Sequence, residues 1–236
     1  MKFTWLLFDA DNTLLDFTKA SKDAFELVCK DFLIEYTPIT FQTYQTLNHG
    51  VWKEFEQQQI TAVELRTKRM SLFLNAIDKA NIDPDIFSDR YMELVVAASE
   101  MYEGVKELLA NLKKDYTLSI VTNGLKEAQR PRLKKLELMS YLDSVVVSDE
   151  IGVAKPAIEF FEYAYQSIPN PPPKAQLLMI GDSLNSDIKG GNNFGIATCW
   201  LSRGKKLKGE GIPDYTIRDV FELPSLLEAI GEGMNY

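Results

Sequence analysis

The sequence predicts an α/β protein with a doubly wound, parallel, Rossmann-like core and an inserted helical domain. Over residues 1–15 and 101–236, short apolar runs alternate with amphipathic helical stretches. Residues 16–100 show helical periodicity without a convincing strand. Strands that alternate with helices imply right-handed crossovers and a parallel sheet. We therefore expect a core of residues 1–15 and 101–236 and a helical insert of residues 16–100.

Four apolar runs are the predicted strands, and each ends on polar residues. A nearly unbroken apolar run is typical of a parallel strand that helices cover on both faces. Open α/β sheets bind ligands beyond the carboxyl ends of their strands, so the polar residues there are the first candidates for a site. The predicted strands are residues 5–8, 116–121, 145–147 and 177–180, with helices over 105–113, 126–136, 156–166 and 186–194.

Two helix starts are marked inside the helical insert. Thr61 and Glu64 have the spacing of a capping box, in which each residue satisfies a backbone N–H near the start of the helix. Asp83 followed by Pro84 is typical of an N-cap and a first helical residue, and we expect that helix to end near Ala98.

The charge balance argues against a nucleic-acid polymer as the partner. The chain has 34 acidic and 26 basic residues, a formal net charge of -8, and no run of Lys and Arg long enough to follow a phosphate backbone. A small anionic substrate remains compatible with this balance, provided that positive charge is concentrated locally.

The short apolar run near the N-terminus and the cysteine usage favour a cytoplasmic protein without a membrane span. The apolar run near the N-terminus is too short for a signal-peptide core or a membrane helix. Cys29 and Cys199 are far apart and lack the spacing of a metal site. We expect two reduced, structural thiols rather than a disulfide.

The first candidate site is the segment that follows the first predicted strand. Asp9 and Asp11 are two acids spaced by two, followed by Asn12 and Thr13. Asp and Asn are also favoured in turns, so a simple strand-end turn is an equal alternative for this segment alone.

A second acidic segment follows the strand predicted at 177–180 and contains Asp182 and Asp187. Carboxylates gathered at one sheet edge raise each other's pKa unless a cation compensates them. Mg²⁺ fits, because it prefers hard oxygen ligands from one or two carboxylates together with waters and substrate phosphate. For Asp187, an interaction with a helix dipole is the alternative.

Polar and basic residues lie between the two acidic segments. Thr122 and Asn123 follow the second strand, and Lys155 precedes Pro156 at the start of a helix. A hydroxyl, backbone amides and an ammonium at this edge make a phosphate cradle. A lysine before a proline is otherwise an ordinary surface residue.

Four motifs in this order resemble the signature motifs of the haloacid dehalogenase-like hydrolase superfamily. The resemblance covers nearly the whole chain and is closest to pyrimidine 5'-nucleotidases of the YjjG type. It implies that the helical insert is a cap domain and that the protein is a phosphoric monoester hydrolase. The motifs are DADNT at 9–13, VTNG at 121–124, VAKP at 153–156 and GDSLNSD at 181–187.

The resemblance also implies a role for each motif residue. Asp9 is the nucleophile that forms an aspartyl-phosphate, and Asp11 is the general acid and base. The Asp9 carboxylate, the Asp11 backbone carbonyl and Asp182 hold Mg²⁺. Asp187 supports this arrangement by positioning Lys155 or a metal-bound water. The phosphoryl oxygens are bound by Thr122, Asn123 and Lys155, of which Lys155 is also catalytic.

The substrate is expected to be a small phosphorylated metabolite, with a pyrimidine nucleoside monophosphate as the leading case. Caps exclude water and select substrates, and His49, Trp52 and Phe55 are candidates to contact a base, although helical aromatics are more often core residues. Other hypotheses are a broad metabolite or sugar-phosphate phosphatase, a phosphomutase and a non-enzymatic phosphate sensor. Asp11 disfavours a dehalogenase, because halide displacement needs no second acid there.

Overall fold

A six-stranded, fully parallel sheet forms the centre of the computed structural model, which describes residues 2–233. The strand order is β3-β2-β1-β4-β5-β6, so β1 lies between β2 and β4. This sheet, with helices on both faces, confirms the predicted fold class. The strands are β1 (Trp5–Phe8), β2 (Thr117–Thr122), β3 (Ser144–Val147), β4 (Leu177–Gly181), β5 (Ala197–Leu201) and β6 (Tyr215–Ile217).

Strand β1 shows why its apolar run is unbroken. Leu6 and Phe8 belong to the hydrophobic cluster on one face of the sheet, whereas Trp5 and Leu7 belong to the cluster on the other face. Because side chains alternate along a strand, a strand covered on both faces needs an apolar residue at every position. The helices of the core are α5 (Val105–Leu112), α6 (Lys126–Lys135), α7 (Ser148–Ile151), α8 (Ile158–Gln166), α9 (Lys189–Phe194) and α10 (Leu223–Gly231), and a π-helical turn (Leu184–Ile188) precedes α9.

Four helices and no strand occupy residues 16–100, in agreement with the helical periodicity of the sequence there. The Thr61–Glu64 capping box is present, and Asp83 caps the helix that ends at Ala98. Aromatic side chains fill the centre of the insert, where the rings of Phe25 and Tyr44 stack at 4.4 Å between centroids. The helices are α1 (Phe17–Asp31), α2 (Pro38–Glu56), α3 (Ala62–Ala76) and α4 (Pro84–Ala98). The exact division at residues 16 and 100 stays a prediction.

The two segments that join the helical insert to the core lie side by side. The Asp16 backbone N–H donates to the Glu100 carbonyl at 3.1 Å, and the Tyr102 N–H donates to the Leu14 carbonyl at 3.2 Å. Helix α4 also packs against α6 of the core. These contacts hold the insert above the end of the sheet to which β1 delivers Asp9.

Both cysteines lie in the hydrophobic interior as free thiols, Cys29 in α1 and Cys199 in β5. This agrees with the expected absence of a disulfide. No helix within residues 2–233 combines the length and the apolar character that crossing a membrane requires.

Candidate active site

The candidate site lies at the carboxyl ends of the three central strands. Asp9 follows β1, Asn123 follows β2 and Asp182 follows β4, and the register pairs Phe8 with Ile120 on one side and with Ile180 on the other. These ends meet at the floor of a cavity of about 260 Å³, whose other walls come from the helical insert. The cavity is lined on the core side by Asp9, Asp11, Asn123, Gly124, Gln129, Arg132, Lys155, Asp182 and Ser183, among others.

Lys155 is buried at the centre of the site, with only 1% of its surface exposed. Its ammonium donates to Asp9 Oδ1 at 2.8 Å, to Asp187 Oδ1 at 2.6 Å and to the Val121 carbonyl at 2.6 Å. The other Asp187 oxygen accepts from the Ser183 backbone N–H at 3.0 Å. A surface role for Lys155 is therefore excluded, and Asp187 fixes the ammonium against Asp9.

Burial sets the direction of the pKa shift for the two carboxyl groups, Asp9 and Asp182, but not for Lys155. It raises the pKa of Asp9 to about 7, with the Lys155 charge opposing the shift and the Asp187 and Asp11 charges adding to it. Burial also raises the pKa of Asp182 to about 6. Burial lowers the pKa of Lys155, but the Asp187 and Asp9 charges outweigh it and leave that pKa above its usual value.

The acidic residues of the site are suited to a hard divalent cation. One carboxylate oxygen from each of Asp9, Asp182 and Asp187 lies within 4.8 Å of the others. Asp187 already accepts from Lys155 and Ser183, whereas the one ion pair of Asp182 among residues 2–233 is with the largely exposed Lys205, at 3.4 Å. Carboxylates this close repel one another, and Mg²⁺ both offsets that repulsion and prefers such oxygen donors. This donor set therefore fits the predicted metal.

The Asp11 side chain points to helix α6. Its Oδ1 accepts from Arg132 Nη2 at 2.6 Å and its Oδ2 accepts from Gln129 Nε2 at 2.9 Å. Arg132 is fully buried and donates further to Ser99 Oγ at 2.7 Å and to Gln129 Oε1 at 3.1 Å. Neither of these two α6 residues, Gln129 and Arg132, was among the predicted site residues. Their spacing of three places them on one face of the predicted helix, but nothing in the sequence marks that face as the buried one.

Asn123 joins two of the predicted motifs. Its amide donates to the Lys155 carbonyl at 2.9 Å and accepts from the Lys155 backbone N–H at 2.8 Å. Thr122 is fully buried, and its hydroxyl accepts from Gln129 Nε2 at 3.2 Å. Asn123 lines the cavity directly, while Thr122 supports the floor through Gln129.

The turn after Asp9 is held by local and distant contacts. Asn12 has φ of 59°, the left-handed conformation that asparagine tolerates better than most residues. Arg203 Nε donates to the Asn12 carbonyl at 3.0 Å, and the Thr13 hydroxyl donates to Asp9 Oδ2 at 3.3 Å. The segment therefore forms a turn and also lines the candidate site, so the two interpretations of its sequence, a strand-end turn and a functional segment, are compatible.

The three insert residues suggested for substrate contact have different positions. Trp52 lines the cavity. Phe55 is buried in the hydrophobic core of the insert and packs edge-to-face on Trp52. His49 is exposed and borders a separate depression that also contains Lys205. The insert further supplies cavity residues that were not predicted from the sequence, namely Phe17, Asn48, Glu56, Arg69, Tyr91, Met92 and Val95.

Comparisons with known proteins agree with this fold. A family model for haloacid dehalogenase-like hydrolases matches residues 6–201, and the chain belongs to that family. It is a phosphatase of this family, as the motifs predict.

Individual relatives cover almost the full length of the chain. Pyrimidine 5'-nucleotidase YjjG of Escherichia coli is 34% identical over 96% of this chain and 99% of its own. Pyrimidine 5'-nucleotidase PynA of Streptococcus pneumoniae is 34% identical over 86% of this chain and 85% of its own. Among solved structures, the putative hydrolase YfnB of Bacillus subtilis, bound to magnesium, has a TM-score of 0.89 at 34% identity. It covers 97% of this chain and 100% of its own.

Proposed function

We propose that this protein is a Mg²⁺-dependent 5'-nucleotidase that dephosphorylates pyrimidine nucleoside monophosphates through an aspartyl-phosphate on Asp9. One observation carries the proposal: a buried ammonium, Lys155, contacts Asp9 at the floor of a cavity in which Asp182 also lies. A carboxylate and a phosphate dianion repel, so an attacking carboxylate needs cationic partners of this kind.

The first half of the reaction transfers the phosphoryl group to the protein. A carboxylate oxygen of Asp9 attacks phosphorus, and the bond between phosphorus and the nucleoside 5'-oxygen breaks. Asp11 supplies the proton that this oxygen takes up as the nucleoside leaves. Lys155 and the backbone N–H of Asn123 hold the phosphoryl oxygens and offset the charge that develops on them, because the side-chain amide of Asn123 is engaged with the Lys155 backbone.

The second half returns Asp9 to its starting state. Asp11, now ionised, accepts a proton from a water whose oxygen attacks phosphorus, and the bond between phosphorus and the Asp9 oxygen breaks. Inorganic phosphate is released. Arg132 and Gln129 support this role, because both donate to the Asp11 carboxylate and thereby fix its orientation.

Asp9, Asp182 and the Asp11 backbone carbonyl would hold the magnesium ion. When bound, the ion screens the negative charges of the phosphate and of Asp9. Asp187 is left out of this set because it is 1% exposed, binds Lys155 and the Ser183 N–H and, unlike Asp9 and Asp182, does not line the cavity.

The nucleotide assignment is supported by the walls of the cavity. Trp52, Tyr91 and Phe17 give it aromatic surface, which suits a flat base better than a small sugar. The named activities of the YjjG and PynA relatives agree with this choice.

Phosphate release from a generic aryl phosphate tests the proposed chemistry. We expect release with Mg²⁺, none with a chelator, and none from Asp9→Asn, which keeps the shape of the side chain. Release from Asp9→Asn equal to that of the wild type would exclude the aspartyl-phosphate. A panel of nucleoside monophosphates and sugar phosphates tests the substrate. A strong preference for a sugar phosphate, or return of phosphate to a bisphosphorylated sugar, would favour a sugar phosphatase or a mutase.

A further inference from the structure

Arg69, in helix α3, lines the part of the cavity that the helical insert forms. It is 3% exposed. Its contacts are weak: Nη1 donates to Asn48 Oδ1 at 3.4 Å, and Nη2 donates to the Met92 thioether sulfur at 3.3 Å. Its Nε, also buried, has no hydrogen-bond partner among the residues that the structure describes. No carboxylate within residues 2–233 forms an ion pair with this guanidinium.

A buried guanidinium with such weak hydrogen bonds and no ion pair indicates that a hydrogen-bond acceptor is missing. Arginine remains charged, carries five N–H donors and has no acceptor, so it is seldom buried without an anion or a set of carbonyl groups. Arg132 provides a comparison within the same cavity, because it is equally buried but donates to Asp11, Ser99 and Gln129. Arg69 has no such set, although it lines the cavity that a substrate would occupy.

The surroundings of Arg69 identify the kind of acceptor. The guanidinium carbon lies 5.5 Å from the centre of the Tyr91 ring, and the apolar side chains of Met92 and Val95 line the same wall. Glu56 also lines the cavity and would repel a substrate carboxylate. An uncharged, flat group with carbonyl oxygens fits these neighbours.

We propose that Arg69 forms a base subsite, in which it donates to a carbonyl oxygen of a pyrimidine base. The proposal rests on the proposed function and names the group that selects its substrate. Uracil and thymine each offer two carbonyl oxygens, whereas adenine offers none. An arginine rejects an exocyclic amino group, because both groups are donors.

A matched pair of variants in one helix tests the base subsite. Arg69→Gln removes the charge and the fork of donors. Arg66→Gln is the control. The Nε of Arg66 also lacks a hydrogen-bond partner within residues 2–233, but Arg66 is paired with Asp89 and lies outside this cavity. For Arg69→Gln we expect kcat/KM for UMP to fall about 10- to 100-fold, the usual effect of losing a hydrogen bond to a charged group. Release from ribose 5-phosphate, which has no base, should be unchanged, and Arg66→Gln should match the wild type with both substrates.

Wild-type protein provides a second test that needs no stable variant. UMP should exceed both AMP and ribose 5-phosphate by about tenfold or more in kcat/KM, since only UMP offers Arg69 a carbonyl acceptor. Equal values for the three compounds would overturn the subsite. An equal fall in kcat/KM for UMP and for ribose 5-phosphate in Arg69→Gln would also overturn it. A third contrary result would be a preference of the wild type for a phosphorylated sugar acid that is lost in Arg69→Gln.

Calorimetric binding of UMP separates this proposal from the proposed function. If the wild type released no phosphate from any monoester, the phosphatase mechanism would fail. Weaker UMP binding by Arg69→Gln than by Arg66→Gln would then still support the subsite. Equal binding by the two variants would overturn it.

Discussion

Arg132 connects Asp11 to the helical insert. Its Nη2 donates to Asp11 Oδ1 at 2.6 Å, while its Nε donates to the hydroxyl of Ser99, the residue that follows helix α4. The guanidinium also lies 5.2 Å from the ring centre of Phe17, the first residue of α1. One buried side chain therefore contacts the proposed general acid and base and both ends of the insert.

Loss of this connection should impair proton transfer more than substrate binding. We expect Arg132→Gln to lower kcat on an aryl phosphate about 10- to 100-fold with a small change in KM, because Asp11 loses its fixed orientation. Arg130→Gln, in the same helix but paired with Glu150, is the control. Steady-state kinetics over a range of pH check this, and Arg132→Lys should restore part of the rate. An unchanged kcat and pH profile in Arg132→Gln would show that Arg132 has no positioning role.

Removing Lys155 should cost both activity and stability. Lys155→Met leaves Asp9 and Asp187 buried without their cation, so we expect the free energy of unfolding to fall by about 3–5 kcal/mol. The rate should fall roughly 10²–10³-fold. Urea unfolding in the presence of a chelator measures the first effect. Adding Asp187→Asn should restore part of the stability but not the rate. If the effects of Lys155→Met and Asp187→Asn on the free energy of unfolding simply add, the proposed coupling between Lys155 and Asp187 is wrong.

Much of the core could be predicted because each strand carries its own signal. Trp5 to Phe8 alternate between two buried faces, so the run is apolar throughout. The runs at 145–147 and 177–180 are likewise apolar, whereas β2 departs from the rule at Thr117 and Ser119. Strands β5 and β6 were not predicted from the sequence. β6 has only three residues, Tyr215–Ile217, and β5 begins on the polar-apolar mixture Ala197–Thr198–Cys199, which has no distinct periodicity.

The core motifs of the site were visible in the sequence, whereas its walls were not. Asp9 and Asp182 follow predicted strands, so topology alone brings them to one edge. Arg69 and Arg132 lie in helices whose polar residues look solvent-exposed in sequence. Only the packing of α3 and α6 at the cavity determines that these two arginines are buried.

The two cysteines should resist alkylation in the native protein. Burial raises the pKa of Cys29 to about 12, and burial together with the Glu222 charge raises the pKa of Cys199 to about 12, against an ordinary value of 9.0. The reactive thiolate is therefore almost absent at pH 8. Mass spectrometry after iodoacetamide treatment should show labelling only in urea. Rapid labelling of the native protein would contradict the burial of these thiols.

The raised pKa values of Cys29 and Cys199 also determine how the free energy of unfolding changes at high pH. Between about pH 9 and 12 the native thiols keep protons that the unfolded chain has lost, so the native state binds more protons. Their contribution to the free energy of unfolding is thus complete below pH 9 and decreases as the pH rises toward 12. Replacing Cys29 by Ala should make the decrease shallower in urea titrations from pH 8 to 11. An unchanged slope would mean that other groups account for it.

Magnesium should stabilise the folded protein through Asp182. A ligand that binds only the native state adds RT ln(1 + [L]/Kd), about 2.7 kcal/mol at 100 times Kd. We expect Mg²⁺ to raise Tm, a chelator to reverse the rise, and Asp182→Asn to remove most of it, because a carboxylate is lost from the cluster with Asp9 and Asp187. Glu210→Gln is the control, since Glu210 is an exposed partner of Lys189 outside that cluster. Thermal unfolding over a series of Mg²⁺ concentrations gives Kd for each variant. If Asp182→Asn and Glu210→Gln respond like the wild type, the ion binds elsewhere on the protein, and the proposed role of Asp182 is wrong even if turnover requires magnesium.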